Sequence, residues 1–215
     1  GQELGIRNMQ VALRRLRRFA RQGAAEELDI DDTIRSTAHN AGLLDIKMVP
    51  ERRNRVKVLI FFDIGGSMDP YVKVCEALFS AARTEFKNLE HYYFHNCVYE
   101  GVWKENHRRH REKIPTADVM RKYGHDWKLI VVGDAAMSPY ELEQAGGSVE
   151  HWNDEPGRAW LERMIRAWPR SVWLNPVPED HWGWTASTEG IRRIFEGRMH
   201  PVTLSGLEGA MKSLS

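Results

Sequence analysis

Five large apolar residues, Val58-Leu-Ile-Phe-Phe62, run straight into Asp63-Ile-Gly-Gly-Ser67, and no other stretch limits the fold as tightly. A continuous apolar run cut off by Gly-Gly reads as a strand buried on both faces and ended by a tight turn. Burial on both faces requires covering layers above and below, so the strand belongs in a layered α/β sheet. Such a strand delivers its last carboxylate, Asp63, to the carboxyl edge, where open α/β sheets place their ligands. Asp63 and Ser67 are hard oxygen donors suited to a divalent cation, and the glycines let backbone and ion approach closely. A cap at the start of the following helix, made by Ser67 or Asp69, explains the same residues. The motif taken singly does not choose between the two.

The rest of the chain alternates helical and strand patterns. Residues 5–21 carry Ile6, Met9, Leu13, Leu16 and Phe19 at helical spacing, with Arg14, Arg15, Arg17 and Arg18 on the outer face. Asp31 or Asp32 is placed to cap a short helix over Thr33–His39, and Lys47-Met-Val reads as a short strand. After the 56–62 strand, Val72, Cys75, Leu78, Phe79, Ala82 and Phe86 form the stripe of a helix starting near Asp69. Aromatic residues 91–99 predict a second strand, with Val102-Trp103 as a short antiparallel edge strand beside it. Further helices are expected over 115–124, from Ser138, over 156–168, over 189–197 and from Ser205. Strands are expected at 129–134, 171–174 and 199–204. Ser138-Pro-Tyr-Glu141 has the spacing of a capping box. Strand and helix in alternation predict a doubly wound, mostly parallel α/β sheet with helices on both faces and one short antiparallel edge strand. Residues 1–54 read as a helical and extended lead-in, and 55–215 as the α/β domain.

Charge and composition narrow the function classes. Basic and acidic residues nearly cancel, 31 against 30, so no global field draws the chain to nucleic acid or membrane. The longest apolar run is far short of the ~18 residues of a membrane span, and no signal-peptide pattern opens the chain. Two cysteines, Cys75 and Cys97, fit a reducing cytoplasm and do not imply a bridge. The chain opens at Gly1 rather than Met, which reads as a piece of a longer sequence.

A second buried strand also ends in an acid, Gly133-Asp134. Neighbouring strands lie ~4.8 Å apart, so Asp63 and Asp134 on one rim repel unless a cation sits between them. Thr116 enters from an intervening loop with a hydroxyl. Asp63, Ser67, Thr116 and Asp134 together make an all-oxygen site for a hard ion, Mg²⁺ before Mn²⁺ or Ca²⁺. Asp63-Ile-Gly-Gly-Ser67, Thr116 and Gly133-Asp134 resemble the metal-ion-dependent adhesion site of von Willebrand factor A (VWA) domains, written Asp-x-Ser-x-Ser with a later Thr and Asp. More narrowly, Phe62–Asp69, Tyr92-Tyr-Phe-His-Asn96, Val102-Trp103 and Glu27–Ile34 resemble the bacterial CoxE-like VWA proteins. The resemblance implies a non-enzymatic adaptor or chaperone that grips a client's carboxylate through the ion. It also implies an assembly or maturation role beside a MoxR-type AAA+ ATPase. On that pattern Ser67 and Thr116 are direct ligands, and Asp63 and Asp134 bind directly or through water. Gly65 stands where the family has its first serine, leaving that position to water and weakening the site.

Other readings fare less well. Haloacid dehalogenase-type phosphatases also open on an apolar strand ending in Asp, which makes a Mg²⁺-dependent phosphohydrolase the alternative function. They need a second acid two residues on, where this chain has Gly65. No Gly-Lys-Ser/Thr follows the glycines, and no Gly-x-Ser-x-Gly elbow surrounds Ser67. His107 and His110 sit among arginines that oppose a cation. An RNA-binding scaffold using Arg14–Arg18 and Arg52–Arg55 is the third reading, with nucleic acid disfavoured by the balanced charge. Trp182-Gly-Trp184, in a Pro-rich loop, is expected to line a partner surface near the rim together with Gly65 and Met68.

Overall fold

The computed structural model describes residues 4–22, 26–50, 56–106 and 112–215. Arg52–Arg55, His107 and His110 lie outside the described residues. The amino-terminal elements are α1 (Ile6–Gln22), β1 (Glu26–Leu28), α2 (Ile30–His39) and β2 (Met48–Pro50). Next come β3 (Lys57–Asp63), a 3-10 turn (Gly66–Tyr71), α3 (Val72–Glu85), β4 (Asn88–Phe94), β5 (Gly101–Val102), β6 (Ile114–Pro115) and α4 (Thr116–Lys122). The chain continues through β7 (Lys128–Val132), α5 (Pro139–Glu143), α6 (Gly157–Ala167) and β8 (Ser171–Asn175). It ends with another 3-10 turn (Glu179–Trp184), α7 (Ala186–Ile194), β9 (Met199–Pro201) and α8 (Leu204–Leu214).

The central sheet has five parallel strands in the order β4-β3-β7-β8-β9. From β3 the chain first builds outward to β4, then crosses back to lay β7 on the other side. The strand order therefore reverses between β3 and β7, which opens a crevice at their carboxyl ends. Phe62 pairs with Val132, so Asp63 and Gly133-Asp134 leave the sheet side by side.

The apolar run of β3 resolves into two alternating sets. Val58, Ile60 and Phe62 face a cluster with Met9, Leu13 and Leu16 of α1, Leu78 and Ala82 of α3, and Leu207 and Met211 of α8. Leu59 and Phe61 face the opposite cluster, with Val119 of α4, Leu161 and Met164 of α6, and Ile191 of α7. Successive side chains of a strand point to opposite faces, so a strand covered on both sides must be apolar at every position. The predicted architecture is the observed one, including the edge: Trp103 lies antiparallel to Tyr93, exchanging hydrogen bonds of 2.7 and 2.9 Å.

Several local expectations change. Asp29, not Asp31 or Asp32, caps α2, accepting from the Asp32 amide at 2.9 Å. The β4 ladder stops at Phe94 rather than running to Tyr99, because Asn96 turns into the left-handed region at φ 59°. Three arginines of the α1 face are engaged within the fold. Arg14 and Arg17 both hold the buried Glu85 of α3, and Arg15 pairs with Glu208 of α8. Cys75 and Cys97 are both free. Among the described residues no helix is long and apolar enough to cross a membrane.

Candidate metal centre

Asp63 is carried to the crevice by the end of β3 and is buried, 4% exposed. Its Oδ1 accepts two backbone hydrogen bonds, from Gly65 N at 2.8 Å and Asn96 N at 3.0 Å. Its Oδ2 is buried with no hydrogen-bond partner among the described residues. Burial drives the carboxyl pKa up to about 7; the Gly65 amide opposes the rise, and the nearby Asp134 and Glu141 carboxylates add to it. A buried anionic oxygen without a donor is costly unless a proton or a cation completes it.

Asp134 follows β7 and is equally buried, its Oδ1 accepting from Ala136 N at 3.0 Å. Gly133 before it is required by close approach. A Cβ there would stand 3.1 Å from both Asp63 Cβ and Trp173 Cζ2. Glu141, on α5, joins the same neighbourhood. The sequence casts it as the returning half of a capping box; only the other half forms, Ser138 accepting from Tyr140 N. The Glu141 carboxylate is buried and turned inward, accepting from Asn96 Nδ2 at 3.1 Å. Asn96 and Glu141 are thus rim residues that the motif search missed. Asn96 had a signal: like Asp63 and Asp134, it lies at a strand's carboxyl end.

Thr116 opens α4 and is fully buried, its hydroxyl donating to Tyr99 O at 2.6 Å and its amide to Glu100 O. Tyr99 in turn donates its own hydroxyl to Glu141 O at 2.8 Å, which ties the Thr116 loop to the rim. Ser67 sits exposed in the first turn after Gly65, and makes no side-chain hydrogen bond with the described residues. The donor set is oxygen throughout and anionic, the chemistry a hard divalent cation takes. Among the described residues no three His, Cys, Asp or Glu side chains gather to hold a metal. A cation here would have to draw on hydroxyl or amide oxygens as well as carboxylates.

Residues 4–100, from α1 through the loop after β4, match the family of VWA domain containing CoxE-like protein. That match covers just under half of the chain. The matched segment contains Asp63, Gly65, Ser67 and Asn96, while Thr116 and Asp134 follow it. Neither the curated proteins nor the solved structures gave a match. The match supports a VWA-type protein-interaction domain.

Beside the rim lies a cavity of about 250 Å³, lined by Asp63, Met68, Val72, Cys75, Phe79 and Tyr93. Burial pushes the Cys75 thiol up to about 12, so it serves as a neutral wall rather than a thiolate. Met68 is buried, 3% exposed, and packs inward under the 3-10 turn. Of the tryptophan pair, Trp182 is buried and donates to Val177 O at 2.8 Å, whereas Trp184 is 77% exposed and stacks on His181 at 3.9 Å. Gly66, Ser67 and Asp69 are exposed beside the centre, and Trp184 is exposed in the turn after β8.

Proposed function

We propose that this VWA domain binds a client protein through a divalent cation, Mg²⁺ in the cell, held at the β3/β7 crevice. The observation that carries the reading is Asp63 Oδ2, an orphaned buried oxygen with Asp134 and Glu141 nearby. Asp63, Asp134, Ser67 and Thr116 would hold the ion. A hard ion exchanges bound water for carboxylate readily, which gives a client Asp or Glu a place to attach. The protein's own residues do the positioning: the Gly65 and Asn96 amides fix one Asp63 oxygen, and Tyr99 fixes Thr116. Binding rather than turnover is favoured because Gly65 supplies no acid where a phosphohydrolase needs one.

On this reading the chain acts as a cytoplasmic assembly or maturation factor beside a MoxR-type AAA+ ATPase, in keeping with its two free cysteines. The test is a pull-down from source lysate with and without EDTA, using wild type, Asp63→Ala and Thr116→Ala. Partners retained only by wild type in Mg²⁺ are expected, an AAA+ ATPase among them. The same partners under every condition would remove metal-dependent recognition. Mg²⁺-dependent cleavage of a phosphoester, lost in Asp63→Ala, would replace the adaptor with an enzyme.

A further inference from the structure

We infer that Asn96 supplies its side-chain carbonyl as a neutral oxygen ligand to the cation site at Asp63, in the space that Gly65 leaves open. The inference rests on the metal-binding reading of the rim. Gly65 has φ −65° and ψ 157°, extended backbone that any residue adopts. Its lack of a side chain is a matter of space. A Cβ at residue 65 would stand 2.2 Å from Asn96 Oδ1 and 3.1 Å from Asp63 Oδ1. Asn96 Oδ1 thus fills the volume from which a serine at 65 would present its hydroxyl. The sequence reading leaves that position to water.

Three contacts aim the amide. Asn96 N donates to Asp63 Oδ1, so the two residues are fixed to each other. Asn96 Nδ2 donates to Glu141 Oε1 at 3.1 Å and reaches Oε2 at 3.5 Å. The NH₂ group thus faces Glu141, and the carbonyl oxygen faces Gly65. The backbone at Asn96 is left-handed, φ 59°, a conformation asparagine adopts more readily than most residues. An amide carbonyl is a hard ligand of the kind calcium and magnesium sites use. Being neutral, it adds an oxygen to a rim already crowded with carboxylates without adding repulsion.

The test is Mn²⁺ affinity of the full chain by electron paramagnetic resonance, with unfolding followed by circular dichroism for every variant. Asn96→Gly keeps the left-handed backbone open and is expected to weaken Mn²⁺ binding by about tenfold or more. Gly65→Ser alone is expected to bind no tighter than wild type, because its side chain meets the Asn96 amide. The double variant, Gly65→Ser with Asn96→Gly, should regain most of the loss, with a serine oxygen in the vacated space. Wild-type affinity in Asn96→Gly, with binding lost in Asp63→Ala, would overturn the ligand role and leave the site standing. A double variant no better than Asn96→Gly would reduce Asn96 to a structural prop. Undiminished Mn²⁺ binding in Asp63→Ala would remove the site and this ligand together.

Discussion

Two carboxylates are buried to nearly the same degree, Glu85 at 5% and Asp63 at 4% exposed, and they are treated in opposite ways. Glu85 ends α3 at the seam with α1, where a negative charge opposes the helix dipole. Arg14 grips it through two nitrogens at 2.9 and 3.3 Å, and Arg17 adds a third contact at 2.8 Å. Asp63 has two backbone donors on one oxygen, none on the other, and other carboxylates for neighbours. The protein neutralises the charge that holds its layers together. At the crevice it leaves one carboxylate oxygen without a hydrogen-bond partner among the described residues.

That contrast can be broken at either end. The largest effect is expected at the seam. Glu85→Ala takes the shared carboxylate from two half-exposed arginines and should give the largest loss of stability of these variants, read from urea unfolding, with Mn²⁺ affinity unchanged. At the crevice the sign reverses. Asp63→Asn removes an uncompensated buried charge and keeps a carbonyl oxygen for the Gly65 and Asn96 amides. The metal-free variant should be more stable than metal-free wild type by about 1 kcal/mol, and should lose the Mg²⁺-induced rise in Tm. The smallest effect belongs to the half-exposed pair Arg15–Glu208, 3.1 Å apart. Arg15→Ala should shift stability by no more than about 0.5 kcal/mol, and that shift should fade with added salt.

What the sequence could disclose depended on how local the determining physics is. The apolar run 58–62 announces a strand covered on both faces, and the helical stripes announce its covers, because both periodicities are local. Asp63 and Asp134 were legible as strand-end acids on one rim. Asn96 was legible only as a residue past a strand's carboxyl end, and Glu141 was not: their contact rests on a left-handed residue after β4 and on the open side-chain position at Gly65. Glu141 also fitted a local motif, the capping box, and tertiary contact with Asn96 won over it. Arg14 and Arg17 read as solvated for the same reason, since Glu85 lies about 70 positions away in sequence. Trp182 and Trp184 look equivalent in the chain; only the 3-10 turn separates the buried ring from the exposed one.

The central claim is that the β3/β7 crevice is a cation site completed by Asp63. Counting Mn²⁺ bound to the wild-type chain by electron paramagnetic resonance, with Mg²⁺ as competitor, tests it most directly. One saturable ion per chain, displaced by Mg²⁺ and absent from Asp63→Asn, is the predicted result. No saturable binding up to about 10 mM, beyond the range of even weak biological oxygen sites, or equal binding in Asp63→Asn, would contradict it.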